Sequence, residues 1–203
     1  MKKISIARSK WIEVYNSILL LRFFVDQYQQ HPDGIEEVNR RFATYCTQNG
    51  LIGNNHRFEG GTNTVAFCYL IIVRVIEILK VSGSDDKGAR EELFRSVLKQ
   101  IDSDGYSSFD QLVQRHQVVL HTFSFCNEPD EVKLYELFRH VRHSISHMAY
   151  EIDLRGSLRL KSLNPRTRAL MLDMEMEVAQ LINLSARFGG WVNNALHADA
   201  YLT

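Results

Sequence analysis

Proline is nearly missing from this chain: there are three in 203 residues, at positions 32, 129 and 165. A helix interior tolerates proline least of all residues, and its scarcity leaves long uninterrupted runs with apolar residues three and four apart. That spacing predicts about seven helices and no strand series. The first covers about residues 9–30, where Trp11, Val14, Tyr15, Ile18, Leu19 and Phe23 make it apolar nearly all round, as in a central helix. "GIEEVNRRFATYCTQNG" supplies the second, ended by Gly50. The loop "LIGNNHRFEGGTN" leads to a third at about 64–81, with Gly60-Gly61 as the turn and Thr62 and Asn63 as the cap. A shorter helix over Ala89 to Ile101 follows the polar linker "SGSDDKG", and "SFDQLVQRHQVVLHTF" comes next. A further helix is expected from about Pro129 to Ile152, with proline and the acids at 128, 130 and 131 suited to its first turn. "IDLRGSLRLKSL" alternates apolar and polar residues about a Gly-Ser turn, the pattern of a small hairpin. Asn164-Pro165 opens a long helix to about Phe188, Gly189-Gly190 ends it, and a short last helix carries Trp191 and Leu196. The expected class is all-α, an antiparallel helical bundle forming a single domain over residues 1–203, with that hairpin as its one β element.

Charge and cysteine usage narrow the function classes. Lysine plus arginine equals aspartate plus glutamate, 24 each, so no global field draws in nucleic acid and any such binding must be local. Cys46, Cys68 and Cys126 are odd in number, far apart and without a C-x-x-C pair. This argues against a disulfide framework or a cysteine zinc site and suits a reducing cytoplasm. "MKKISIARSKWIEV" has basic residues but no apolar run after them, so no signal peptide is expected. The most apolar stretch, "VAFCYLIIVRVIEIL", contains Arg74 and Glu77 and is too short and too charged to span a bilayer. A buried helix and no membrane partner are the expectation.

The stretch "FRHVRHSISHMAYE", residues 138–151, crowds arginine and histidine where surface helices ordinarily carry glutamate and lysine. At about 100° per residue, Leu134, Leu137, Phe138, Val141, Ile145, Met148 and Ile152 form one apolar stripe. His140, His143 and His147 fall on the opposite side with Arg139, Ser146 and Tyr150 beside them, and Arg142 lies on the flank. On this reading the histidines are not core packing. Three chemistries fit the face. A solvated surface is one, although histidine is a mediocre helix former and adds little charge at neutral pH. A metal site is another, with imidazoles at i, i+3 and i+7, but Glu136 and Glu151 are only loosely placed beside them and the one-helix geometry is awkward. Acid–base chemistry on a phosphate ester is the third: an imidazole moves protons near neutral pH while a permanently charged arginine stabilises phosphoryl charge.

"RHSISH", Arg142 to His147, resembles the signature of the HEPN superfamily: an arginine, a polar residue, three residues, then a histidine, on a helix of an all-α bundle. His143 fills the polar slot. "VRVIEILK", Val73 to Lys80, is similar to the helix of such domains that carries a glutamate within an apolar stretch. The resemblance implies a metal-independent endoribonuclease without a cofactor, of toxin or phage-defence type. It implies a homodimer whose paired motif helices build one composite cleft for RNA, with an antitoxin or other regulatory protein as a further partner. His147 would be the general acid/base, Arg142 would hold the scissile phosphate, and His143 would orient the phosphate or Arg142. The RNA 2′-hydroxyl would be the nucleophile, leaving a 2′,3′-cyclic phosphate. Arg139, Ser146 and Tyr150 would contact the substrate. Toxins controlled by nucleotidyltransferase antitoxins resemble R-x-x-x-x-H-x-Y. Here Ala149 takes the tyrosine's place and Tyr150 stands three residues after His147, so the resemblance does not extend to adenylylation. The alternative is a non-catalytic HEPN-like module that binds a nucleotide or RNA or serves dimerisation. A helical scaffold in which the motif is accidental is a third.

Two charge features accompany the motif. "LRGSLRLKSLNPRTR" carries Arg155, Arg159, Lys161, Arg166 and Arg168 with no acid between Asp153 and Asp173, a local excess that suits a polyanion and equally a solvated hairpin. Arg155, Arg159 and Lys161 are the expected phosphate contacts. Glu77, one turn past Arg74, needs a partner if buried, and a supporting ion pair with Arg74 or an arginine of the motif helix is expected.

Overall fold

The computed structural model describes residues 6–30, 32–49, 61–79, 87–153, 155–199 and 201–202. The helices are α1 (Arg8–Gln30), α2 (Pro32–Gln48), α3 (Gly61–Leu79), α4 (Lys87–Ser103), α5 (Phe109–Arg115), α6 (Asp130–Ser146) and α7 (Val178–Ala198). The strands are β1 (Val119–Phe123), β2 (Tyr150–Ile152), β3 (Ser157–Leu163) and β4 (Leu170–Glu177). Gly50, Gly60 and the "SGSDD" part of the linker lie outside the described residues, while Thr62 and Asn63 fall inside α3 rather than capping it.

Burial of apolar faces decides the bundle. α3 packs against α1, α6 and α7, and α4 packs against α6 and α7. At the centre the rings of Phe138 on α6 and Phe188 on α7 stack with centroids 3.7 Å apart. Phe94 on α4 meets Tyr135 edge-on at 5.1 Å, so three helices share one aromatic cluster. Each fully buried aromatic side chain contributes on the order of 2–3 kcal/mol through lost apolar exposure. The helix α1 is less central than its composition suggests, because Ile12, Leu19, Leu20 and Phe23 remain exposed.

The all-α expectation is corrected: the fold is mostly α with a four-stranded antiparallel sheet in the order β1-β4-β3-β2. The hairpin after the motif is present as β2 and β3, pairing Tyr150 with Leu160 and Ile152 with Leu158. The segment expected to begin the last long helix is instead β4, pairing Leu158 with Met176, Leu160 with Met174 and Ser162 with Leu172. All six of those side chains are buried on the face toward α6 and α7. Leucine, methionine and glutamate favour helices, but "LMLDMEME" alternates with period two, and a half-buried sheet rewards that alternation. The helix expected over "SFDQLVQRHQVVLHTF" likewise divides into α5 and β1.

The missed ends of α5 and α6 share one cause. α4, α5 and α6 each end in the same paired hydrogen bonds. Tyr106, Val118 and Ala149 N–H donate to the carbonyls of Ile101, Val113 and Ser144, and Gly105, Gln117 and Met148 N–H donate to those of Asp102, Gln114 and Ile145. This is the Schellman stop, which needs a left-handed residue just past the cap. Gly105 fills it at φ 85°, but Gln117 and Met148 adopt it at φ 53° and 52° without being glycine. So α6 ends at Ser146 rather than Ile152, and Met148, assigned to its core stripe, is 77% exposed. Conversely, Gly189-Gly190 does not end α7, which runs on through Trp191 to Ala198. A Cβ on Gly189 would lie 2.7 Å from Cδ1 of Ile18, so glycine there allows α1 to approach α7.

Candidate functional site

The stop at Met148 sets the geometry of the motif. It makes His147 the C-cap of α6 and leaves that side chain exposed, one turn after His143. Their ring centroids lie 4.3 Å apart with planes at 53°. Arg142 leans toward α3, where its guanidinium donates to a Glu77 carboxylate oxygen; the side chains are 22% and 41% exposed. Glu77 thus pairs with an arginine of the motif helix, while Arg74 reaches Glu13 on α1 at 3.7 Å. Nε of Arg142 and the Ser146 hydroxyl, one turn apart on the same side, are buried without a hydrogen-bond partner.

His140 departs from this group, correcting its assignment to the outer face. It is 4% exposed and turned under the sheet, its ring stacked 5.6 Å from Phe125. A guanidinium only donates, so Arg139 gives an N–H to His140 Nε2 at 2.9 Å, which assigns the proton to Nδ1, 2.8 Å from the Ser162 hydroxyl. Arg139 itself is held by Glu136 at 2.6 Å. Ser144, inside the motif, donates to the backbone carbonyls of His140 and Lys161 and ties α6 to β3. Burial, then the charge on Arg139 and the nearby His143, push the His140 imidazole down to about 4, so it is neutral at physiological pH. The Glu136–His140 spacing of four was the available signal for this network, since it permits contact along one helix face.

The three imidazoles do not converge, and among the described residues no group of three or more His, Cys, Asp or Glu side chains is placed to hold a metal ion. The remaining expected contacts disperse. Tyr150 pairs with Leu160 on the inner face and packs partly against the core. Arg159 lies on the outer face in a two-bond fork with Asp173, both bonds 2.8 Å. That fork holds the Asp173 carboxyl below the usual carboxylate range. Lys161 is exposed, and its N–H donates to Ala149, which places it beside the end of the motif. Arg155 is exposed in the turn between β2 and β3, at the far end of the hairpin. Arg142, His143, His147 and Glu77 therefore come together, while Arg139, His140 and Arg159 are taken up in internal pairs. No described helix is long and apolar enough to cross a membrane.

No curated protein and no solved structure matches this chain. A family model does, the one described as HEPN pEK499 p136, over residues 5–197, a span that includes both the motif helix and the glutamate helix. With the arginine, the polar residue and the histidine of the signature at the end of α6, and the glutamate of α3 bonded to that arginine, the chain belongs to the HEPN family.

Proposed function

We propose that the protein is a metal-independent endoribonuclease acting as a homodimer, a toxin or defence effector whose cleft is made from the two motif helices. The observation that carries this reading is the half-buried His143 set 4.3 Å from the exposed His147, next to an arginine paired with Glu77. In the proposed reaction His147 takes the proton of the RNA 2′-hydroxyl, whose oxygen attacks the adjacent phosphorus. The bond to the 5′-oxygen breaks, and that oxygen receives a proton from the partner's His147 in the composite cleft, leaving a 2′,3′-cyclic phosphate. Arg142 stabilises the charge gathering on the phosphoryl oxygens, which a planar cation with several donors does well. Glu77 restrains the guanidinium, and His143 orients it or the phosphate.

The test is cleavage of RNA by wild type and by His147→Ala, with a second substrate carrying a single 2′-deoxy residue at the cut site. Wild type should cut the first and not the second, and the variant neither. Cutting of the deoxy substrate, or full activity in the variant, would overturn the mechanism. A second reading, a module that binds RNA or a nucleotide without cutting it, draws on how much cationic charge near the motif is already paired: Arg142 with Glu77, Arg139 with Glu136, Arg159 with Asp173. On that reading wild type and His147→Ala bind RNA alike and neither produces a cyclic phosphate.

A further inference from the structure

The β3–β4 loop, residues 164–169, is short, exposed and built in an unusual way. The Asn164 side chain accepts N–H bonds from Arg166 and Thr167 at 2.9 and 3.1 Å. Its backbone carbonyl accepts from Arg168 at 2.8 Å, and its N–H donates to Ala169 at 2.8 Å. Arg168 sits at φ 61°, a left-handed conformation that costs a non-glycine residue on the order of 1 kcal/mol or more. Residues 165–169 are all exposed, and neither Arg166 nor Arg168 has an ion-pair partner among the described residues. The chain therefore holds two uncommitted guanidinium groups on a turn pinned by its own hydrogen bonds.

Strand register says where that turn lies. Lys161 N–H bonds Ala149, two residues after His147. Asn164 follows Lys161 by three residues, about 10 Å along the strand at the usual rise. Arg155 lies beyond Ser157, at the opposite end of β3. Among the cations of this segment, then, Lys161 and the two loop arginines share the motif's end of the sheet, Arg159 is neutralised by Asp173, and Arg155 is remote. The loop therefore begins about 10 Å along the strand from the residue bonded at the end of the motif. Phosphate contacts of this kind position a strand without reading its sequence.

We propose that the β3–β4 loop is a phosphate-binding subsite for single-stranded RNA, in which Arg166 and Arg168 hold the backbone flanking the cut and Asn164 positions them. The subsite rests on the ribonuclease reading of the motif. Pre-ordering by Asn164 lowers the entropy lost when the two long side chains engage phosphate.

The test measures binding of a labelled oligouridine to full-length protein by fluorescence anisotropy across a salt series, alongside cleavage kinetics. Arg166→Ala/Arg168→Ala should weaken binding about tenfold and raise KM with little change in kcat. It should also flatten the slope of log affinity against log salt by roughly 1.4, since each single-strand phosphate contact contributes about 0.7. Asn164→Ala removes no charge, so it should weaken binding several-fold while leaving the number of ionic contacts, and hence the salt slope, unchanged. Lys99→Ala, an exposed cation on α4, is the control for generic charge and should leave affinity within about twofold. If wild type binds and cuts RNA but the double variant matches it, or Lys99→Ala is as damaging as the double variant, the subsite is wrong while the ribonuclease reading stands. If wild type neither binds nor cuts, both fall.

Discussion

His147→Ala removes an exposed side chain at a helix cap, so it leaves no core cavity and should change unfolding stability by no more than about 0.5 kcal/mol. Its effect on RNA cleavage should be a loss on the order of 10²–10⁴, the usual worth of a positioned acid–base group. A variant that is both inactive and much less stable in urea would mean the residue is structural. Arg142→Lys should also impair cleavage severely, because a point charge cannot keep the Glu77 contact and grip a phosphate with a planar fork. His140→Ala behaves in the opposite way. Helical angle alone groups it with His147 and makes its loss mild, but it is buried, bonded to Ser162 and Arg139 and stacked on Phe125. Its removal should cost about 2–4 kcal/mol by urea denaturation, from the cavity and the stranded partners together. An unchanged midpoint would show that the network contributes nothing.

At the level of elements, the two non-glycine helix stops are directly testable. Met148→Gly relieves the left-handed strain after α6 and should stabilise the protein by up to about 1 kcal/mol, offset in part by the freer unfolded chain. A loss of stability would mean that the exposed Met148 side chain packs in a way its 77% exposure denies. Gly189→Ala should be destabilising by about 1–3 kcal/mol, because its Cβ would press on the Ile18 side chain at 2.7 Å and force α1 away from α7. These positions also account for what was legible along the chain. Gly105 announces the end of α4, whereas Gln117 and Met148 end α5 and α6 silently, and Gly189 marks a close approach that reads in sequence as a helix end.

For the whole molecule, acid should loosen the fold in a defined window. His116 and His140 are both pushed down to about 4, His116 by burial and then by Arg187 and Arg115, His140 by burial and then by Arg139. Above an ordinary histidine pKa of about 6.5 neither state binds the protons, and the fold has its full stability. As pH falls from there toward 4, the unfolded chain takes up protons that the folded chain refuses, so stability declines. The melting temperature should drop by at least about 4 °C across that window, and His116→Ala/His140→Ala should flatten the drop. The same scale carries the assembly expected of the proposed cleft. In sedimentation the protein should be a two-fold dimer at micromolar concentration, and cross-linking should bring the two copies of His147 together, since an isologous interface sets one patch against itself. A monomer would count heavily against a composite active site.

Much of this molecule was readable from residue order: the long helices from their three-and-four periodicity, the β2–β3 hairpin from its alternation, and the family from six residues between Arg142 and His147. Those features are local, and local spacing is what a one-dimensional pattern carries. The pairing of Glu77 with Arg142 was legible only as one of two partners. The sheet's third and fourth members, β1 and β4, the inward turn of His140 and the neutralising of Arg159 were settled in three dimensions. In each case a distant segment supplied the deciding partner: β3 for the alternating face of β4, Ser162 and Phe125 for His140, Asp173 for Arg159. A helix former becomes a strand, and a surface histidine becomes a core one, when the free energy of burying that face against a remote partner exceeds the few tenths of a kcal/mol per residue that propensity commands.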